Sequence, residues 1–185
     1  MAYTESNMMA LGTSAPNFKL LEPKTRNEIS FKDIKGERGT VVMFICNHCP
    51  YAIYVNHLLV SIANEYLPKG IGFVAINSND VENYPEDAPD KMSIVAKVLQ
   101  YPFPYLYDES QEIAKAYDAA CTPDIYVFDD NNNLYYRGRI DESKPNSGKP
   151  QTGIDLKNAL NDLLNNKSYP EKQYPSGGCN IKWKK

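Results

Sequence analysis

The chain has 185 residues, 42% of them hydrophobic and 23% charged, with a formal net charge of −3. That length suits one domain burying about 70% of its unfolded surface, and the absence of any long block of one charge sign argues against nucleic acid as a partner. No apolar run approaches the ~20 residues that a membrane span requires. The amino terminus, MAYTESNMMALGTSAPNF, lacks the basic start and apolar core of a secretory signal, so the expected location is cytoplasmic.

Residues 15–39 read as a short hairpin followed by a polar turn. Val41 to Ile45 is a continuous β-rich apolar run, as expected of a strand buried on both faces. Tyr51, Val55, Leu58, Leu59, Ile62 and Tyr66 then recur at steps of three and four, which predicts a helix ending near Pro68-Lys69-Gly70. His57 falls on the polar side of that stripe. Ile71 to Ile76 is a second buried strand, followed by the loop NSNDVENYPEDAPD and a helix over 91–99. YPFPYLYD supplies a short strand, and a helix is predicted over 110–120. Ile125–Phe128 and Leu134–Ile140 form a hairpin about DDNNN. A helix over 152–164 precedes a tail, SYPEKQYPSGGCNIKWKK, with little strand or helical period. Its closing lysines read as solvated. Alternating strands and helices predict an α/β fold with a central sheet covered on both faces, mixed because of the hairpin.

Four cysteines are too few for a disulfide scaffold in this length. In a reducing compartment any disulfide among them is expected to be transient and functional. Cys46 and Cys49 lie three apart between the first buried strand and the first long helix. Placed at the start of that helix, Cys46 would meet amides with no internal acceptor and the positive end of the peptide dipoles, which stabilise a thiolate. Cys49 would sit one turn deeper, and Pro50 fits a first helical turn. A protonated His48 between them would favour the Cys46 thiolate; otherwise it simply faces water.

The motif CNHC after a buried strand and before an amphipathic helix resembles the thioredoxin superfamily. APNFKL, FKDIKGERGTVVMFICNHCPY and CTPDIYVFDDNNNLYYRGRID resemble, in order and spacing, its redoxin branch, the alkyl-hydroperoxide-reductase/thiol-specific-antioxidant and thioredoxin-like oxidoreductases. CNHCPY with a terminal GCNIKWK is similar to a thiol-disulfide isomerase-like subgroup. The resemblance implies a thioredoxin-like fold with an N-terminal β-hairpin extension over 15–167, flanked by an arm (1–14) and a tail (168–185). It also implies that Pro123 is cis beside the cysteines and that the Thr122 backbone pairs with substrate. Two departures stand out. Thr40 to Ile45 carries no carboxylate where thioredoxins have a buried Asp, which leaves His48, Asp124 or a water as the base for Cys49, and Ile45 replaces the usual aromatic before the first cysteine.

The expected activity is thiol-disulfide oxidoreduction. Cys46 attacks a disulfide of a protein or small-thiol substrate and Cys49 resolves it. No cofactor or metal is required, and a reductase partner or small thiol donates electrons. A peroxiredoxin-like thiol peroxidase is the alternative, weakened because P-x-x-x-(T/S)-x-x-C would need Pro and Thr or Ser where Gly39 and Met43 stand. A zinc module drawing on Cys46, Cys49 and two of His48, Cys121 and Cys179 has less support, because structural zinc sites commonly pair two C-x-x-C knuckles. Cys121 and Cys179 are accessory-thiol candidates: Cys121 as a neighbour of Thr122-Pro123 or a small buried residue, Cys179 as a mobile-arm relay or a tethered tail.

Overall fold

Alternation of side chains across the pleat sorts the sheet residues into two cores. In the computed structural model, which describes residues 3–170 and 172–185, the apolar run forms strand β4 (Gly39–Phe44), and every one of its residues is buried. Val41, Met43 and Ile45 pack with α2 (Pro50–Tyr66), α3 (Pro89–Val98) and α5 (Ile154–Leu164). Val42 and Phe44 pack on the other face with Phe18, Phe31, Ala114 and Tyr117. β5 (Ile71–Asn77) and β8 (Asp124–Phe128) flank β4, the first parallel and the second antiparallel.

The seven-stranded sheet has the order β3-β2-β6-β5-β4-β8-β9. β2 (Lys19–Glu22) and β3 (Asn27–Ser30) are the amino-terminal hairpin, β6 (Tyr105–Tyr107) is the short strand, and β9 (Leu134–Arg137) closes the second hairpin. This is the mixed, helix-flanked sheet expected, with a short helix α1 (Phe31–Ile34) after the first hairpin.

Two predicted elements come out differently. The helix over 110–120 shrinks to α4 (Glu112–Ala116), because Asp118 takes a left-handed backbone (φ 50°) and the chain turns into β7 (Cys121–Thr122). The tail is not structureless either. β10 (Gly177–Asn180) pairs antiparallel with β1 (Tyr3–Glu5) on one side and β7 on the other, making a separate three-stranded sheet. No periodicity announces β10, because its residues are Gly-Gly-Cys-Asn. Their requirement is close backbone approach: a Cβ on Gly178 would lie 2.0 Å from the Thr122 carbonyl oxygen, and one on Gly177 would lie 2.1 Å from the Tyr3 hydroxyl. Ile181 is buried as an anchor, whereas Trp183 is 40% exposed.

A similar approach locks α1 against the central sheet. A Cβ on Gly72 would stand 2.0 Å from the Ile34 carbonyl and 2.6 Å from the Gly36 nitrogen, both backbone atoms that no rotamer change can clear. Gly72→Ala is therefore expected to destabilise the protein by about 3 kcal/mol, measured by urea unfolding. A change within about 0.5 kcal/mol, the size of an ordinary surface substitution, would mean that the contact is slack.

Candidate active site

Ile45 continues the β4 ladder by donating its N–H to the Ile76 carbonyl (3.0 Å), and the chain then leaves the sheet at Cys46. α2 begins only at Pro50, and Cys49 is its N-cap in extended conformation. The helix start thus lies at Cys49 and not at Cys46, three residues later than the sequence suggests. The Ala52 amide faces the Cys49 sulfur without making a close capping bond. Between strand and helix, residues 45–48 are pinned from outside. The Asn47 N–H donates to Asp87 Oδ1 (2.7 Å), its side-chain amide donates to the Glu86 carbonyl (2.9 Å), and the Tyr105 hydroxyl donates to Asn47 Oδ1 (3.1 Å).

Thr122 and Pro123 arrive from the opposite side through the bond between β7 and β8, which is cis as the resemblance implies. Cys46 Sγ lies 3.3 Å from Thr122 Oγ1, and the Cys49 thiol donates to the Thr122 carbonyl at 3.1 Å. The four cysteines are all buried and none is in a disulfide. Cys46 and Cys49 share a proton: the Cys46 S–H donates to Cys49, which holds Cys49 well below the ordinary thiol range against the cost of burial. Cys179, Thr122 and the Ala52 amide favour the same anion. Cys46 is correspondingly pushed up, first by that shared hydrogen bond, then by burial and by the Asp87 charge. The Thr122 carbonyl works the other way, since it accepts the Cys49 proton when one is present. The two sulfurs are thus pushed in opposite directions, Cys49 towards the thiolate and Cys46 towards the thiol.

His48 lies beside the pair. Its Nδ1 is 2.6 Å from Asp87 Oδ2, and its ring stacks on Tyr84 with centroids 5.4 Å apart. That bond raises the imidazole pKa, outweighing burial and the Lys182 charge; its Nε2 is buried without a hydrogen-bond partner among the described residues. Asp87 is fully buried and also accepts from the Asn79 side-chain amide (2.8 Å). Sequence reading passed over Asp87, which lies in a polar loop 38 residues past Cys49; its one signal was the density of Asn and Asp in NSNDVENYPED.

Of the bases weighed for Cys49, Asp124 is buried and raised to about 6 by desolvation, but its Oδ2 accepts from Ala120 N–H and Tyr126 O–H (both 3.2 Å). His48 is engaged with Asp87. The Cys46 thiol is the group that meets Cys49 directly. Cys121 donates to the Pro123 carbonyl (3.4 Å), and burial pushes its pKa far up, which suits a small core residue. Cys179 is brought to Cys49 by β10 opposite Thr122. The backbone edge of Thr122 expected to receive substrate is thus filled by the chain's own tail. Among the described residues, the mutually close ligand triple is Cys46, His48 and Asp87, not the set weighed for zinc. A cleft of about 250 Å³ opens on the far side of Pro123, between Tyr51, Tyr54, Arg139 and Lys144. His57 is exposed, as read.

Comparison with known proteins agrees with this geometry. The family model of the AhpC/TSA family matches residues 11–137. An uncharacterized conserved protein from Geobacillus kaustophilus is 56% identical, with a TM-score of 0.98 over 100% of this chain and 97% of its own. A hypothetical protein from Sinorhizobium meliloti 1021 is 40% identical, with a TM-score of 0.95 over 98% of each chain. The thioredoxin domain of a thiol-disulfide oxidoreductase from Bacteroides vulgatus shares the fold at 16% identity, with a TM-score of 0.65 over 84% of this chain and 99% of that one. Among curated proteins none matches significantly. With a buried cysteine pair at the head of a helix on a mixed, thioredoxin-like sheet, and a family model spanning more than half of its length, the chain belongs to the AhpC/TSA family.

Proposed function

We propose that this protein is a thiol-disulfide oxidoreductase in which Cys46 is the attacking sulfur and Cys49 the resolving one. The observation that carries the reading is the meeting of both sulfurs at Thr122, Cys46 Sγ 3.3 Å from its hydroxyl and Cys49 Sγ 3.1 Å from its carbonyl oxygen. Cys46 is the outer member, 3% exposed against 0% for Cys49, so it is the one a substrate sulfur meets first. As it attacks a substrate disulfide, its proton crosses to Cys49. A bond forms between Cys46 and one substrate sulfur, and the other substrate sulfur leaves as a thiolate and takes up a proton. Cys49 then gives its proton to solvent and attacks Cys46, forming the Cys46–Cys49 bond as the Cys46–substrate bond breaks, and the second substrate sulfur leaves with the bonding pair and takes up a proton. The Cys46–Cys49 disulfide left behind is reduced by a thiol donor or a reductase, which suits a reducing compartment.

The peroxidase alternative draws on membership of the AhpC/TSA family. In that chemistry Cys46 would be oxidised to a sulfenic acid and Cys49 would condense with it. Gly39 and Met43, at the positions where peroxiredoxins resembling this branch carry Pro and Thr or Ser, speak against it.

The two readings separate in paired assays with dithiothreitol as donor, one following reduction of insulin disulfides and one following peroxide consumption. The expected result is disulfide reduction that falls to background in Cys46→Ser. In Cys49→Ser the Cys46 sulfur should accumulate as a mixed disulfide with substrate. Peroxide consumption outpacing disulfide reduction, or a Cys46→Ser variant as active as wild type, would overturn the assignment.

His48 provides a pH test. Its pKa is raised chiefly by the bond to Asp87, so the pairing contributes its full stability below the ordinary histidine value of ~6.5 and loses it as pH climbs through the folded value. In Asp87→Asn the His48 resonance, followed by NMR, should titrate at lower pH than in wild type. The stability gap between the two proteins should be widest in mildly acidic buffer and narrow on the alkaline side. Identical titrations in both would remove Asp87 as the cause.

A further inference from the structure

The exchange described above uses two sulfurs, yet three stand together. Cys46 and Cys49 both meet Thr122, and Cys179 lies opposite Thr122 on the neighbouring strand, packed with the pair in one buried cluster. Cys121 is outside that cluster, held to the Pro123 carbonyl. Backbone pairing fixes this placement. Cys179 lies opposite Thr122 in the β10–β7 register, and Gly178 lets the two strands meet without a side chain between them.

Nor is the segment carrying Cys179 a loose arm. β1 covers its outer edge, with Tyr3 opposite Cys179. Beyond it, the Ile181 N–H donates to the Ala120 carbonyl (3.1 Å) and the Lys182 N–H to Asn79 Oδ1 (2.8 Å). The Ser176 hydroxyl donates to the Gly138 carbonyl (2.7 Å) on the near side. So many fixed contacts exceed what a tethered tail needs, and they set one thiol against the inner sulfur of the pair.

We propose that Cys179 is a third exchanging thiol of this site, which attacks Cys49 of the Cys46–Cys49 disulfide and moves the oxidised bond onto the strand covering the site. The inference rests on the thiol-disulfide reading above and extends it. In the step, the Cys179 thiolate gives its electron pair to the Cys49 sulfur. A Cys49–Cys179 bond forms, the Cys46–Cys49 bond breaks, and Cys46 leaves with the bonding pair and accepts the proton that Cys179 gave up. No electrons enter or leave the protein. Cys46 is free again, and the new disulfide waits for the thiol donor that the cycle already needs.

The electrostatics make this step conditional on oxidation. In the dithiol form, burial first, then its hydrogen bond to Cys49 and the charge there, push the Cys179 thiol up to about 12. Once Cys49 is in a disulfide its charge is gone, and Lys182, which favours the Cys179 anion, is left acting against burial alone.

The test uses the full-length protein equilibrated in glutathione redox buffers, then acid-quenched, alkylated, digested with trypsin and mapped by mass spectrometry. Cleavage at Lys and Arg places Cys46 and Cys49 on peptide 39–69 and Cys179 on peptide 173–182. Cys46→Ala should accumulate the crosslink between these two peptides. Wild type should show it beside the Cys46–Cys49 disulfide as the buffer becomes more oxidising, which gives a readout needing no substitution. Gly178→Val, whose side chain would collide with the Thr122 carbonyl, should lose the crosslink and keep the Cys46–Cys49 disulfide. The proposal is overturned if Cys49 and Cys179 stay as separate thiols or separate glutathione adducts in buffers where wild type forms Cys46–Cys49. If wild type forms no Cys46–Cys49 disulfide in any buffer, the oxidoreductase reading fails first and takes this step with it.

Discussion

Two buried sulfurs brought together at one threonine are the constraint around which this site is built. Taking a thiolate out of water is unfavourable, and a thiol buried alone responds by keeping its proton, as Cys121 does. Cys49 escapes that fate because donors converge on it: the Cys46 thiol above all, then Cys179, Thr122 and the Ala52 amide at the head of α2. Each comes from a different element, so the anion exists only when strand, helix and tail are in register. The site is in that sense a property of the whole fold.

The second consequence concerns access. β10 lies along Thr122, and β1 lies along β10, so the backbone edge beside the cysteines is already paired. Pairing this edge internally satisfies amide and carbonyl groups that would otherwise be open to adventitious strand addition. It also leaves Cys46 the less deeply buried residue of the pair, with Pro123 lining a cleft beside Thr122. On the other flank, the Asp87–His48–Tyr84 stack keeps residues 46–48 from relaxing away from the helix. Thus the loop bearing the outer cysteine is clamped from both sides by segments remote in sequence.

Much of this architecture was legible because it follows from periodicity. The unbroken apolar runs Val41–Ile45 and Ile125–Phe128 and the stripe from Tyr51 to Tyr66 each bury what their pattern says they bury. The cysteine spacing and Thr122-Pro123 marked the two halves of the site through family resemblance. What stayed hidden depends on single contacts at long range. Asp87 is one Asp among several in a polar loop, and only the folded chain shows which carboxylate His48 meets. β10 carries no apolar alternation, since two of its four residues are glycines chosen for proximity, so the same residues that read as a flexible approach are a tightly packed strand. The boundary between β4 and α2 was misplaced by a few residues, enough to move the helix dipole from Cys46 to Cys49.

The most direct test is a pH titration of thiolate absorbance in the reduced protein. Cys121 and Cys179 are both raised, so they stay silent through neutral pH. A paired proton predicts one thiolate per chain formed well below the free-cysteine value of ~8.5, a second only in strong alkali, and loss of the early step in Cys49→Ser. Absorbance that first rises near or above ~8.5, with no step in the acid to neutral range, would contradict the account at its base.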